Sequence, residues 1–144
     1  MRAPHRRPNL PQCCTGGEVL GALRDKAKTA GLRQSTTFNL GTDHTDFRVP
    51  DAGWVRASPN SLYVPTAAAV LEVLSPDDET FRKLTFYLAR GVEEVLVAHP
   101  TERWIRCWAA TGLPGATERS WTEVEESALF GTTMQALVAE VSWP

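Results

Sequence analysis

The 144-residue chain is long enough to bury one hydrophobic core, and 42% apolar with 22% charged residues excludes a disordered, collagen-like or mucin-like chain. No apolar run reaches the roughly 18 residues that a bilayer-spanning helix needs; the longest, 67–74 and 95–98, are strand-sized, so no membrane association is expected. The formal net charge of -2 gives the molecule as a whole no electrostatic pull on nucleic acid, although residues 1–34 carry seven basic residues against Glu18 and Asp25.

Residues 1–14 are basic and proline-rich but lack the apolar middle of a secretory signal, so they read as a flexible arm ahead of one domain over 15–144. Cys13, Cys14 and Cys107 have neither CxxC nor metal-site spacing, and their odd number argues against a disulfide framework; a cytoplasmic location is expected. Thr15 followed by Glu18 matches a capping box, and Val19, Leu20, Leu23, Ala27 and Ala30 recur at helical spacing, which predicts a helix from Gly16 to Ala30 ended by Gly31. From Ser35 to Ala57 the β-prone segments TTFNL, DFRV and AGWVRA, with turn signals at residues 41–43 and 50–53, predict a run of antiparallel strands.

Ala67 to Leu74 is apolar on both faces except for Glu72, as expected of a central strand covered on both sides. Ser75 as cap, Pro76 at the first position, acids at 77–79 and Gly91 at the end predict a helix over Pro76–Arg90, with Phe81, Leu84 and Leu88 facing the sheet. Glu94–Ala98 and Trp104–Trp108 read as strands joined by a turn at His99–Thr101. Strand, helix, strand implies a parallel crossover, hence an α/β fold bordering on α+β. Gly112–Gly115 reads as a loop, the surroundings of Trp121 as a further strand, and Gly131–Val141 as a short amphipathic segment.

No GxSxG, GxxxxGK[ST], HExxH or GxGxxG pattern occurs, which removes support for the commonest enzyme classes. His5, His44 and His99 are scattered, and His99 before Pro100 suits a turn. Three residues remain. Asp51 fits a turn former in VPDAG. Lys83 fits a surface lysine paired with Glu79. Glu72 is different: it shares a strand face with Val70 and Leu74, and a buried carboxylate needs a cation or a metal. Glu72 precedes Ser75 by about 10 Å of strand, and Lys83 follows Pro76 by about 10.5 Å of helix. A helix folding back along its strand therefore brings both to one level, with contact depending on helix rotation. Tyr87, one turn beyond Lys83, is assigned to core packing.

The run VPDAGWV, then AAVLEVLSP, then FRKLTFYLARGVEEVLVAHP, with ESALFGTTMQAL near the end, resembles the widespread bacterial family of restriction endonuclease-like proteins within the PD-(D/E)xK nuclease superfamily. The resemblance implies a central mixed sheet flanked by helices. It also implies Asp51 and Glu72 as ligands of Mg²⁺ or Mn²⁺, Lys83 as the catalytic lysine, and DNA as substrate, with a homodimer allowed. Leu74 stands where the superfamily's ExK would have its lysine, and Lys83 fits a variant with the lysine on the next helix. Glu18 is the nearest match to a polar residue of the first helix near that site, although its capping pattern explains it better. A nuclease fold without catalysis, serving as a binding module, is the competing expectation. In a third reading, Glu72 and Lys83 form only a structural ion pair.

Overall fold

Two nearly continuous apolar stretches, Ala69–Val73 and Glu94–His99, organise the molecule, because a strand covered on both sides must present apolar side chains to both. The computed structural model describes residues 10–36, 38–56, 62–75, 80–112 and 118–144, without the side chains of residues 10–14, 80 and 81. The elements are α1 (Leu10–Thr29), β1 (Arg33–Ser35), β2 (Asn39–Asp43), β3 (Asp46–Arg48), β4 (Ala52–Val55), β5 (Tyr63–Val64) and β6 (Ala69–Val73). After these come α2 (Thr80–Ala89), β7 (Glu94–His99), β8 (Trp104–Thr111), β9 (Ser120–Val124), β10 (Glu126–Ser127), β11 (Thr132–Thr133) and α3 (Met134–Glu140). No helix among the described residues is long and apolar enough to cross a membrane.

The main sheet has the order β1-β4-β6-β7-β8-β9. β6 and β7 are parallel, with Glu72 opposite Val97, and α2 forms the predicted crossover between them. The other pairings in this sheet are antiparallel. Leu71, Val73, Leu96, Ala98, Ile105 and Cys107 point to one face and meet α1 and α3. Val70, Val95 and Val97 point to the other, where they meet Leu84 and Tyr87 of α2 and Leu40 of β2. The fold is thus a mixed α/β sandwich, as the sequence implied.

Local corrections follow from contacts that the sequence does not display. α1 begins at Leu10, so Thr15 is a buried interior residue rather than a cap, and Glu18 has no capping role. That helix takes in residues expected in the arm; residues 1–9 lie outside the described residues, as does the predicted start of α2 at 76–79. On α2 the buried stripe is Leu84 and Tyr87, with Leu88 only half-buried and the Phe81 side chain outside the described residues. Strands β2 and β3 leave the main sheet and form a small sheet of order β3-β2-β5, in which β2 and β5 run parallel. Their turn falls at His44–Thr45, beyond the predicted Gly41–Asp43, because Asp43 Oδ1 accepts from the Thr45 amide at 2.8 Å and from the Thr45 hydroxyl. The termination signals hold: Gly31 and Gly91 adopt φ of 75° and 83°, a region open to glycine without a Cβ clash. His99, expected in the turn, is instead the last residue of β7, opposite Trp104, and its Nδ1 accepts the Glu102 amide at 3.0 Å across the turn that begins at Pro100. The stretch around Trp121 is strand β9, and the amphipathic 131–141 segment holds α3, capped by Thr133, whose Oγ1 accepts from the Ala136 amide at 3.0 Å.

Candidate active site

Asp51 immediately precedes β4, which runs antiparallel to β6 with Ala52 opposite Leu71 and Gly53 opposite Val70. Continuing that register by one residue brings Asp51 level with Glu72. The side chain confirms the approach: Asp51 Oδ2 accepts the Val73 amide at 2.7 Å. A turn-forming aspartate would bond to an amide within a few residues, whereas this one reaches across to the neighbour of Glu72. Among the described residues no hydrogen bond engages its Oδ1.

Glu72 is 1% exposed. Its Oε2 lies 3.5 Å from Lys83 Nζ, and its Oε1 accepts the Tyr87 hydroxyl. The level match inferred from strand and helix rise is therefore met by the helix rotation as well. That rotation is fixed from outside the crossover: the Trp121 indole donates to the Leu84 carbonyl at 2.8 Å, and Arg119 Nη1 to the Leu88 carbonyl at 3.0 Å. Lys83 and Tyr87, four residues apart, share one helix face and meet one carboxylate. Lys83 keeps 28% of its side chain exposed, so its ammonium spans the buried acid and the solvent side.

Tyr87 is the member that sequence reasoning undervalued. It packs in the core, as expected, but its hydroxyl also holds Glu72. Burial, followed by the neighbouring Glu72 charge, pushes the phenol well above its ordinary 10.0, so it remains a neutral donor. The spacing from Lys83 was the available signal. Tyr87→Phe removes only the hydroxyl and is expected to cost about 1.5–3 kcal/mol, the range for a hydrogen bond to a charged group, measurable by urea denaturation.

A second buried carboxylate lies on the opposite face of the sheet. Glu94 Oε1 accepts the Ser127 hydroxyl at 2.5 Å and the Cys107 thiol at 3.6 Å, while Oε2 accepts the Leu129 amide at 3.1 Å. Burial and then Glu94 push the Cys107 thiol above its ordinary 9.0. Both raised groups hold protons that an unfolded chain would release, so their stabilising contribution is complete below pH 9.0 and declines as pH rises past 9.0 and 10.0. Denaturant midpoints should therefore fall between about pH 8 and about pH 10.5, and less steeply in Tyr87→Phe or Cys107→Ala.

The donor set at Asp51 and Glu72 suits a hard divalent cation, since such ions take carboxylate oxygens and fill the remaining positions with water. Among the described residues no group of three or more His, Cys, Asp or Glu side chains is gathered for a metal, so a cation here would rest on this pair. Residues 17–135 match the family model described as "Uma2: Putative restriction endonuclease". The chain belongs to the Uma2 family. A crystal structure described as a "putative nuclease" from Anabaena variabilis superposes with a TM-score of 0.61 at 13% identity, covering 92% of this chain and 83% of that one. At that identity the likeness speaks for the fold, and the Uma2 sandwich is shared. No curated protein is similar enough to match.

Proposed function

We propose that this Uma2 chain is a metal-dependent nuclease that hydrolyses phosphodiester bonds of DNA. The observation that supports it best is the convergence of Asp51, Glu72 and Lys83 at the C-terminal end of β6, with Asp51 on the Val73 amide at 2.7 Å and Lys83 on Glu72 at 3.5 Å. Asp51 and Glu72 would hold Mg²⁺ or Mn²⁺, which when bound supplies a more acidic water and neutralises charge on the phosphate. The chain's own groups do the rest. The Val73 amide and the Tyr87 hydroxyl fix the two carboxylates, so they need not reorganise as charge develops. Lys83, a compact ammonium, orients the attacking water and stabilises the phosphate oxygens as they gain charge. The attacking water gives up a proton as its oxygen forms the new P–O bond, the ester P–O bond breaks, and the departing oxygen takes up a proton.

Incubation of the purified protein with supercoiled plasmid and with single-stranded DNA, in Mg²⁺, Mn²⁺ or EDTA, tests this reading. Cleavage present with either ion and lost in EDTA is expected. DNA affinity without cleavage under every condition would instead favour a binding module.

A further inference from the structure

The carboxylates of the candidate site repel the substrate they are meant to process, and a chain of net charge -2 supplies no general attraction to offset them. Cations near the site therefore matter individually. Three residues before Asp51, at the end of β3, stands Arg48, with its guanidinium carbon 4.7 Å from the centroid of the Phe86 ring on α2. Arg90 approaches the same ring at 4.9 Å. Their situations differ. Arg90 is paired through Nη2 with Asp46 at the start of β3, a bond that ties the β2–β3 hairpin to the end of α2. Among the described residues Arg48 has no carboxylate within ion-pair distance; its Nη1 donates to the Phe47 carbonyl at 2.8 Å.

Arg48 is thus oriented by its backbone bond and the aromatic face of Phe86, while most of its donors and its full charge remain exposed. Its charge also reaches the site: it lowers the Tyr87 phenol's proton affinity, opposing the raising effects of Glu72 and Asp51.

We propose that Arg48 is a substrate-binding residue that contacts a backbone phosphate of DNA beside the carboxylate site, held for that contact by Phe86 and by the Arg90–Asp46 tie. The inference rests on the nuclease reading. A guanidinium suits the task because its planar fork matches the geometry of phosphate oxygens and desolvates more readily than an ammonium.

Binding of a fluorescently labelled DNA duplex to the full chain, followed by anisotropy in EDTA over a salt series, tests it. Arg48→Ala should bind more weakly at low salt, with the slope of log K against log salt reduced by about 0.9, the amount for one phosphate contact. Arg48→Lys should restore most of that slope. Arg24→Ala, an exposed arginine of α1 on the other face of the sheet, should leave it unchanged. An unaltered slope in a normally folded Arg48→Ala, or an equal loss in Arg24→Ala, overturns the proposal while leaving the nuclease reading standing. A wild-type protein that neither binds the duplex nor cuts DNA with Mg²⁺ or Mn²⁺ removes the nuclease reading and this inference together.

Discussion

Glu72→Ala and Asp51→Ala are each expected to reduce metal-dependent DNA cleavage by about a thousandfold or more, since a catalytic metal contributes several kcal/mol and each 1.36 kcal/mol is tenfold in rate. The two variants should differ in stability. Removing Glu72 leaves Lys83 and the Tyr87 hydroxyl facing a void in a buried position, whereas removing Asp51 costs only one partly buried bond to Val73. Glu72→Ala should therefore melt lower as well as lose activity, and Asp51→Ala should lose activity with a small thermal change. Titration calorimetry with Mn²⁺ supplies the readout that separates a metal site from a structural ion pair. Unchanged Mn²⁺ affinity in both variants, with cleavage retained, would sink the assignment. Lys83→Ala should keep Mn²⁺ affinity and lose turnover.

The largest loss of stability should come from the other face. Glu94→Ala strips acceptors from the Ser127 hydroxyl and the Leu129 amide, two groups in the segment that carries the chain toward α3. An orphaned buried donor costs about 1–3 kcal/mol, so a total of about 3–5 kcal/mol and a melting temperature lower by on the order of 10 °C are expected. Glu94→Gln, which keeps one carbonyl oxygen, should lose less. Scanning calorimetry of the two variants decides the matter, and a melting point for Glu94→Ala within about 2 °C of wild type would contradict the role given to this network.

How far the sequence disclosed this arrangement depended on whether the relevant forces are local. The β6–α2–β7 crossover was legible because its strands are apolar on both faces and Gly91 ends the helix between them. The level match of Glu72 with Lys83 followed from helix and strand rise alone. Their contact did not, because Trp121 and Arg119 set the helix rotation from 31 or more residues away. β1 escaped notice because Arg33, Gln34 and Ser35 are polar and short, and pair only with β4 at the sheet's edge. Thr15 misled for the opposite reason: a locally perfect capping pattern lies inside a helix that starts upstream. Nothing local marked Glu94 as a buried acid, since its partners come from β8 and from the segment after β9. In the sequence Asp51 rose above a turn residue only through the family resemblance; its place beside Glu72 comes from the pairing of β4 with β6, which the predicted strand run did not contain.

The sheet separates its two buried acids by face, Glu72 beneath α2 and Glu94 beneath the segment leading to α3. On the nuclease reading, this division makes catalysis and folding separately mutable. On that reading, substitutions at Asp51 or Lys83 would erase chemistry without reaching the α1–α3 layer, so a descendant of such a chain would fall silent as an enzyme and persist as a folded protein.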